Sequence, residues 1–125
     1  MARKTHDTPR WLEKVGEQNF PAAESYLTLI HPPKQARKFV AVLKVAKPVE
    51  FKAKDIFRAS GLSLLGVSNH QVEKDRQKIR QGVALSPILL VRDEANGRVI
   101  VADGYHRLCA VYGFNEEEPI PCRIV

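Results

Sequence analysis

A β-branched apolar run that breaks at glycine and resumes as a helix constrains this chain more than any other feature. The run is Val99-Ile100-Val101-Ala102, the break is Asp103-Gly104, and the continuation is Tyr105-His106-Arg107-Leu108-Cys109-Ala110-Val111-Tyr112. The first part reads as a buried strand. In the last part Leu108, Val111 and Tyr112 fall at i, i+3 and i+4 and share one helix face. A strand that turns through glycine into a helix leaves backbone N–H groups free at the helix start. Those groups, with the positive end of the helix dipole, favour a bound anion. Gly104 has no Cβ to hold a ligand off the backbone, and Tyr105, His106 and Arg107 stand in the first turn. The segment therefore predicts a phosphate site. The competing reading is purely structural: Asp103 caps the helix, Arg107 is a surface charge and His106 is a satisfied polar residue.

At 125 residues the chain is expected to form one domain with its own core. No apolar run approaches the roughly 20 residues of a membrane span, so no membrane partner is expected. The N-terminus, Met1 to Asp7, is polar and lacks the apolar core of a signal peptide, which predicts a cytoplasmic protein. Its two cysteines, Cys109 and Cys122, are then expected to be reduced and buried. The histidines are scattered and no Cys–His spacing fits a metal, so no metal site is predicted.

The net charge of +6 is concentrated. Lys34, Arg37, Lys38, Lys44, Lys47, Lys52, Lys54 and Arg58 stand against Glu50 and Asp55, so residues 34–58 carry the whole excess. Such a surface suits an anionic partner, nucleic acid or nucleotide, although a solvated face has the same composition.

Along the chain, residues 1–10 read as a disordered arm anchored by Trp11 and Leu12. Pro21 opens a helix to about Ile30 with Ala23, Tyr26, Leu27 and Ile30 on one face. A second helix, 34–46, carries the stripe Ala36, Phe39, Val40 and Leu43, and Pro48 stops it. The amphipathic pair packs on the rest of the domain or on a second copy, so a homodimer is one reading. Val49 to Ala53 alternates as a short strand with one covered face. Residues 55–60 form a helical turn closed by Gly61. The apolar loop 62–67 needs cover, over the core or along a pocket.

Ser68 and Gln71 fit a capping box that opens a very polar helix ending at Gly82. Val72 and Ile79 are its main inward contacts. The strand 87–92, the Asn96-Gly97 hairpin and the strand 98–102 lead into the central turn. Gly113 reads as the C-cap of the helix that follows. Ile120 to Val125 is a closing strand in which Pro121 suits an edge or a strand start. The fold class is α+β: a small mixed sheet with flanking helices, preceded by a helical hairpin.

The order of these elements, with Asp103-Gly104-Tyr105-His106-Arg107 after an apolar strand, resembles the N-terminal domain of the ParB partition proteins and the related sulfiredoxins. A second match is Ile79, Arg80, Gly82, Pro87 and Ile88. The likeness covers about residues 49–125, leaving 1–48 as an N-terminal arm and helical hairpin packed on the core. It implies a ParB/sulfiredoxin-like fold and a turn that holds nucleotide phosphates. Members of the superfamily include a nucleotide-switched DNA clamp, an ATP-dependent repair enzyme for over-oxidised cysteine, a free-serine kinase and proteins described as nucleases. Carried over, Gly104, Tyr105, His106 and Arg107 take the phosphate-contacting places. The polar helix flanks the nucleotide, with Gln71, Lys74 and Lys78 on one face.

The departures narrow the expectation. Tyr105 occupies the place of the sulfiredoxin nucleophilic cysteine, which removes that thiol chemistry. Phe57-Arg58-Ala59-Ser60 stands where a partition protein has its Gln-Pro-Arg box, and no helix-turn-helix is read up to Val125.

Two functions are therefore expected in alternative. In the first, the Asp103–Arg107 turn binds a nucleotide or a phosphorylated small molecule, with Mg2+ where the ligand is a nucleotide. A small phosphotransferase or NTP hydrolase would use His106 as acid/base and Asp103 as base or magnesium ligand. In the second, Lys34, Arg37, Lys38, Lys44 and Lys47 bind DNA, as an adaptor module or a ParB-like nuclease on the basic 34–58 surface.

Overall fold

The computed structural model describes residues 8–66 and 68–125. The arm expected at 1–7, and Val67 of the apolar loop, lie outside the described residues. The chain is mixed α+β, with a four-stranded mixed sheet and five α-helices among the described residues.

The strands are β1 (Val49–Lys52), β2 (Ile88–Asp93), β3 (Arg98–Asp103) and β4 (Pro119–Ile124), in the order β1-β4-β2-β3. β1 and β4 run antiparallel, β4 and β2 parallel, and β2 and β3 antiparallel. The helices are α1 (Asn19–Leu27), α2 (Pro33–Val45), α3 (Ala53–Ser60), α4 (His70–Gln81) and α5 (Tyr105–Phe114).

Strand alternation sorts the core onto two faces. Leu90, Val99, Val101, Ile120 and Cys122 point to the side covered by α3, α4 and α5. Leu89, Val91, Ile100 and Ala102 point to the other, where Ala23 and Leu27 of α1 and Ala36, Val40 and Leu43 of α2 cover them. Ala23 and Leu27 of α1 and Ala36, Val40 and Leu43 of α2 are thus buried within the chain, and the sheet lies between two helical layers.

Local chemistry explains most boundaries. Pro33 is pre-set for the first helical position of α2. Gly61 and Gly82 close α3 and α4 in the left-handed conformation. At Gly82 the backbone N–H groups of Gly82 and Val83 donate to Ile79 and Lys78, the paired bonds of a Schellman end.

Several expectations are corrected. Residues 8–10 are tied to the body: Pro9 is buried, and Trp11 forms a parallel bridge with Leu85, flanked by N–H donation from Leu85 to Arg10 and from Leu12 to Leu85. α1 starts at Asn19, whose N–H donates to Gly16, and it ends at Leu27; Tyr26 and Ile30 are exposed. Asn69, not Ser68, caps α4, its Oδ1 accepting from Val72 N at 3.1 Å.

β1 covers little, because only Phe51 is half-buried. Leu65 packs on the core, while Leu62 and Leu64 stay exposed beside Phe57 and Tyr112. Gly113 lies inside α5, and Asn115 is the C-cap. A Cβ at Gly113 would stand 2.6 Å from Arg76 Nη1, because that guanidinium is stacked 4.5 Å from the Phe114 ring centroid.

β4 is interior, not an edge. Ala53 N donates to Glu118 O at 2.9 Å, so the alternation places the amide positions of Pro119 and Pro121 away from β1. β2 joins β4 only from Cys122 onward, which is how an interior strand tolerates both prolines.

Candidate functional site: the cavity at the Asp103–Arg107 turn

β2 begins and β3 ends at the same end of the sheet, since they run antiparallel. The register slips there: Leu89 faces Asp103 but Leu90 faces Val101, which leaves Ala102 as an extra residue. This bulge re-aims the chain just before the turn. Gly104 then adopts φ +109°, open only to glycine without strain, and α5 starts at Tyr105. The space beside Gly104 is filled by the protein itself: a Cβ would stand 2.8 Å from Ile88 Cγ1 and 3.0 Å from Arg107 Nη2. The glycine is therefore required by Ile88 and Arg107 rather than by the approach of a ligand.

A polar cavity of about 430 Å³ opens at this corner. Gly104, Tyr105, His106 and Arg107 line one side, with Asp103 and Ser86 beside them. Gln71, Asp75 and Lys78 of α4 form a second wall, and Gln18 and Asn19 at the start of α1 form a third. Both helical layers therefore contribute to one site at the end of the sheet.

Arg107 is tightly held. Its Nη2 donates to Asp103 Oδ2 at 2.8 Å and to Pro87 O at 3.2 Å, and its Nε donates to Ser86 O at 2.9 Å. Asp103 is thus the counter-ion of Arg107, and it does not cap α5, which has no side-chain cap. The backbone N–H groups of Tyr105, His106 and Arg107 donate to no other described residue; the first helical bond runs from Leu108 N to Gly104 O at 2.9 Å. Tyr105 turns its hydroxyl to the Ser63 carbonyl and so pins the loop before α4. His106 is half-buried on the cavity wall with no side-chain hydrogen bond among the described residues.

The structure brings Gln71 and Lys78 to the cavity but leaves Lys74 exposed and outside it. Asp75 lines the wall instead. Its side chain is 4% exposed, Oδ1 accepts from Gln71 Nε2 at 3.5 Å, and Lys78 Nζ lies 3.9 Å away. Burial pushes this carboxyl above the ordinary aspartate value, against the pull of Lys78, Arg107, Gln71 and His106. Asn19 also lines the cavity, and nothing in the sequence links residue 19 to a turn at residue 103.

The basic surface is separate. Lys34, Arg37, Lys38, Lys44 and Lys47 are all exposed, form no ion pair among the described residues and contribute nothing to the cavity wall. Lys44 Nζ lies 5.8 Å from the Phe20 ring centroid. Lys52 and Lys54 clamp Glu117, and Arg58 approaches Asp55, so part of the basic excess of 34–58 is spent within the fold. Among the described residues no three His, Cys, Asp or Glu side chains converge as a metal site, and no helix is long and apolar enough to cross a membrane. Compared with family models, with curated proteins and with solved structures, the chain has no match.

Proposed function

We propose that the protein binds a phosphate-bearing ligand, a nucleotide or a phosphorylated small molecule, in the cavity at the Asp103–Arg107 turn. One observation carries the reading: the uncapped start of α5 opens into a polar cavity that Lys78 and Arg107 also line. Three backbone donors and the positive helix end favour an anion there. Lys78, half exposed on the cavity wall, supplies a mobile cation. Arg107, fixed by Asp103 and two carbonyls, supplies a rigid one. Asp103 serves this arrangement by orienting Arg107, and His106 supplies a ring nitrogen as donor. The likeness of residues 49–125 to ParB N-terminal domains supports the same reading, with Gly104, His106 and Arg107 in the phosphate-contacting places.

Isothermal titration of the whole chain with ATP, CTP, GTP, ADP and inorganic phosphate, with and without magnesium, tests it. At least one of these is expected to bind, and Lys78→Ala to weaken that binding about tenfold, ~1.4 kcal/mol. Lys78 is the better probe because Arg107→Ala also breaks the Asp103 pair. Absence of heat with every phosphate compound sinks the reading.

A second reading rests on the basic face of α2 with Lys47 just beyond it, unpaired among the described residues: salt-sensitive DNA binding through Lys34, Arg37, Lys38, Lys44 and Lys47. A gel shift at two salt concentrations tests it. Retention of binding in Arg37→Glu with Lys38→Glu would remove that surface from consideration.

A further inference from the structure

Two buried polar side chains, one on the α4 wall of the cavity and one on the α1 wall, lack a full set of hydrogen bonds among the described residues. Asp75 is one. A buried carboxylate ordinarily collects several short hydrogen bonds. Here Oδ1 receives one at 3.5 Å, the limit of such a bond, and Oδ2 receives none from the described residues. Val72 and Ile79 supply the core contacts of α4, so Asp75 is not needed to anchor the helix.

Asn19 is the other. The residue is 8% exposed, and its side-chain amide makes no hydrogen bond among the described residues. Its Oδ1 is buried and lies against Gly16, where a Cβ would stand 2.7 Å away. The amide nevertheless lines the cavity. An unpaired buried amide oxygen destabilises a fold, so the packing gains nothing from it.

We propose that the ligand's phosphate is attached to a body bearing hydroxyl groups, and that Asp75 and Asn19 recognise that body. The inference rests on the phosphate reading above and narrows it to phosphorylated polyols, free sugar phosphates or the sugar phosphate of a nucleotide. A cavity of about 430 Å³ lies in the range of small-molecule sites and leaves room beyond a phosphate at α5. Hydroxyl groups donate to a carboxylate and accept from an amide N–H, so one body pairs with the Asp75 carboxyl and with the Asn19 Nδ2. A second anion would meet Asp75 at close range and be repelled. An apolar body would leave both groups unpaired. An ammonium would suit Asp75 but give Asn19 nothing to donate to. Asn19 belongs to the helical hairpin, so the segment before residue 49 becomes part of the recognition site rather than a mere cover for the sheet.

The test compares methyl phosphate, ribose 5-phosphate and ADP by titration calorimetry on the whole chain. Wild type is expected to hold ribose 5-phosphate at least tenfold more tightly than methyl phosphate. Asp75→Ala and Asn19→Ala are each expected to cut that preference severalfold while leaving methyl phosphate binding intact or tighter. Lys78→Ala should weaken both probes alike. If Asp75→Ala fails to fold, the near-isosteric Asp75→Asn carries the test, again with a severalfold loss of preference. ADP tighter than ribose 5-phosphate identifies a nucleotide, and equal affinity identifies a free sugar phosphate. Equal affinity of methyl phosphate and ribose 5-phosphate in wild type, or an unchanged preference in the Asp75 variants, overturns the proposal while leaving the phosphate site standing. No binding of any phosphate probe overturns both.

Discussion

Arg107 Nη2 and Asp103 Oδ2 lie 2.8 Å apart, bridging the turn at Gly104 from either side. The same guanidinium reaches the carbonyls of Ser86 and Pro87, so one side chain fastens the end of β3, the entry to β2 and the start of α5. Both partners are largely shielded from water, at 16% and 14% side-chain exposure, which makes the contact stronger than a surface ion pair.

Removing Arg107 therefore removes a structural tie as well as a cation. Arg107→Ala is expected to cost about 2 kcal/mol, since it leaves Asp103 and two carbonyls without their donor. Asp103→Ala should cost less, because Arg107 keeps its carbonyl partners. In the double variant the losses should fall short of additivity by about 1 kcal/mol. Urea midpoints of the four proteins check this, and strict additivity would mean the pair is not coupled.

Gly104 and Gly97 both hold positive φ, +109° and +63°, but only Gly104 is crowded. Gly97→Ala meets open space and should cost only the backbone strain of about 1 kcal/mol. Gly104→Ala adds a clash with Ile88 and Arg107 and should cost about 3 kcal/mol. Chemical denaturation separates the two, and equal losses would argue against the observed packing at the turn.

The contrast between α2 and α4 says what the sequence could disclose. The apolar stripe of α2 is periodic, and Ala36, Val40 and Leu43 are indeed the buried positions. α4 is so polar that its inward edge is hard to see. At about 100° per residue, Asp75 falls between the Val72–Ile79 stripe and the Gln71–Lys78 edge, whereas Lys74 falls on the far side of that edge. The i, i+3, i+7 spacing groups Lys74 with Gln71 and Lys78, and only the position of the turn, which α4 does not encode, selects the Asp75 side of that edge. Other features depend on distant residues and leave no local trace. Gly113 answers to Arg76, the prolines of β4 are tolerated through the staggered arrival of β2, and Asn19 meets the turn only across two layers.

Cys109 and Cys122 are both free and buried. Burial raises both thiols, that of Cys122 to about 12. An aromatic disulfide reagent at pH 8 should find neither thiol in the native protein and both after denaturation. Because the folded state keeps a proton that the unfolded thiol releases, stability should fall as pH rises above about 9. That alkaline fall should be smaller in Cys122→Ala. Rapid native labelling would contradict the burial of these helix and strand positions.

Asp75 offers the sharpest test of whether the cavity is kept for a ligand rather than for stability. Burial raises its carboxyl in the folded state, with Lys78, Arg107, Gln71 and His106 opposing. The folded protein therefore holds this proton more tightly than the unfolded chain does. The stability linked to it is greatest at low pH and is lost as pH climbs from the ordinary aspartate value through the raised one, after which the cost is constant. Asparagine has nearly the same shape and never takes up the charge. Asp75→Asn is accordingly expected to be more stable than wild type at pH 7, with the gain vanishing as pH falls to the ordinary aspartate value. Denaturation of both proteins across that range measures the difference directly. A variant less stable than wild type at neutral pH would mean that the contact with Lys78, 3.9 Å away, outweighs the burial, and Asp75 would then be explained by the fold without any ligand.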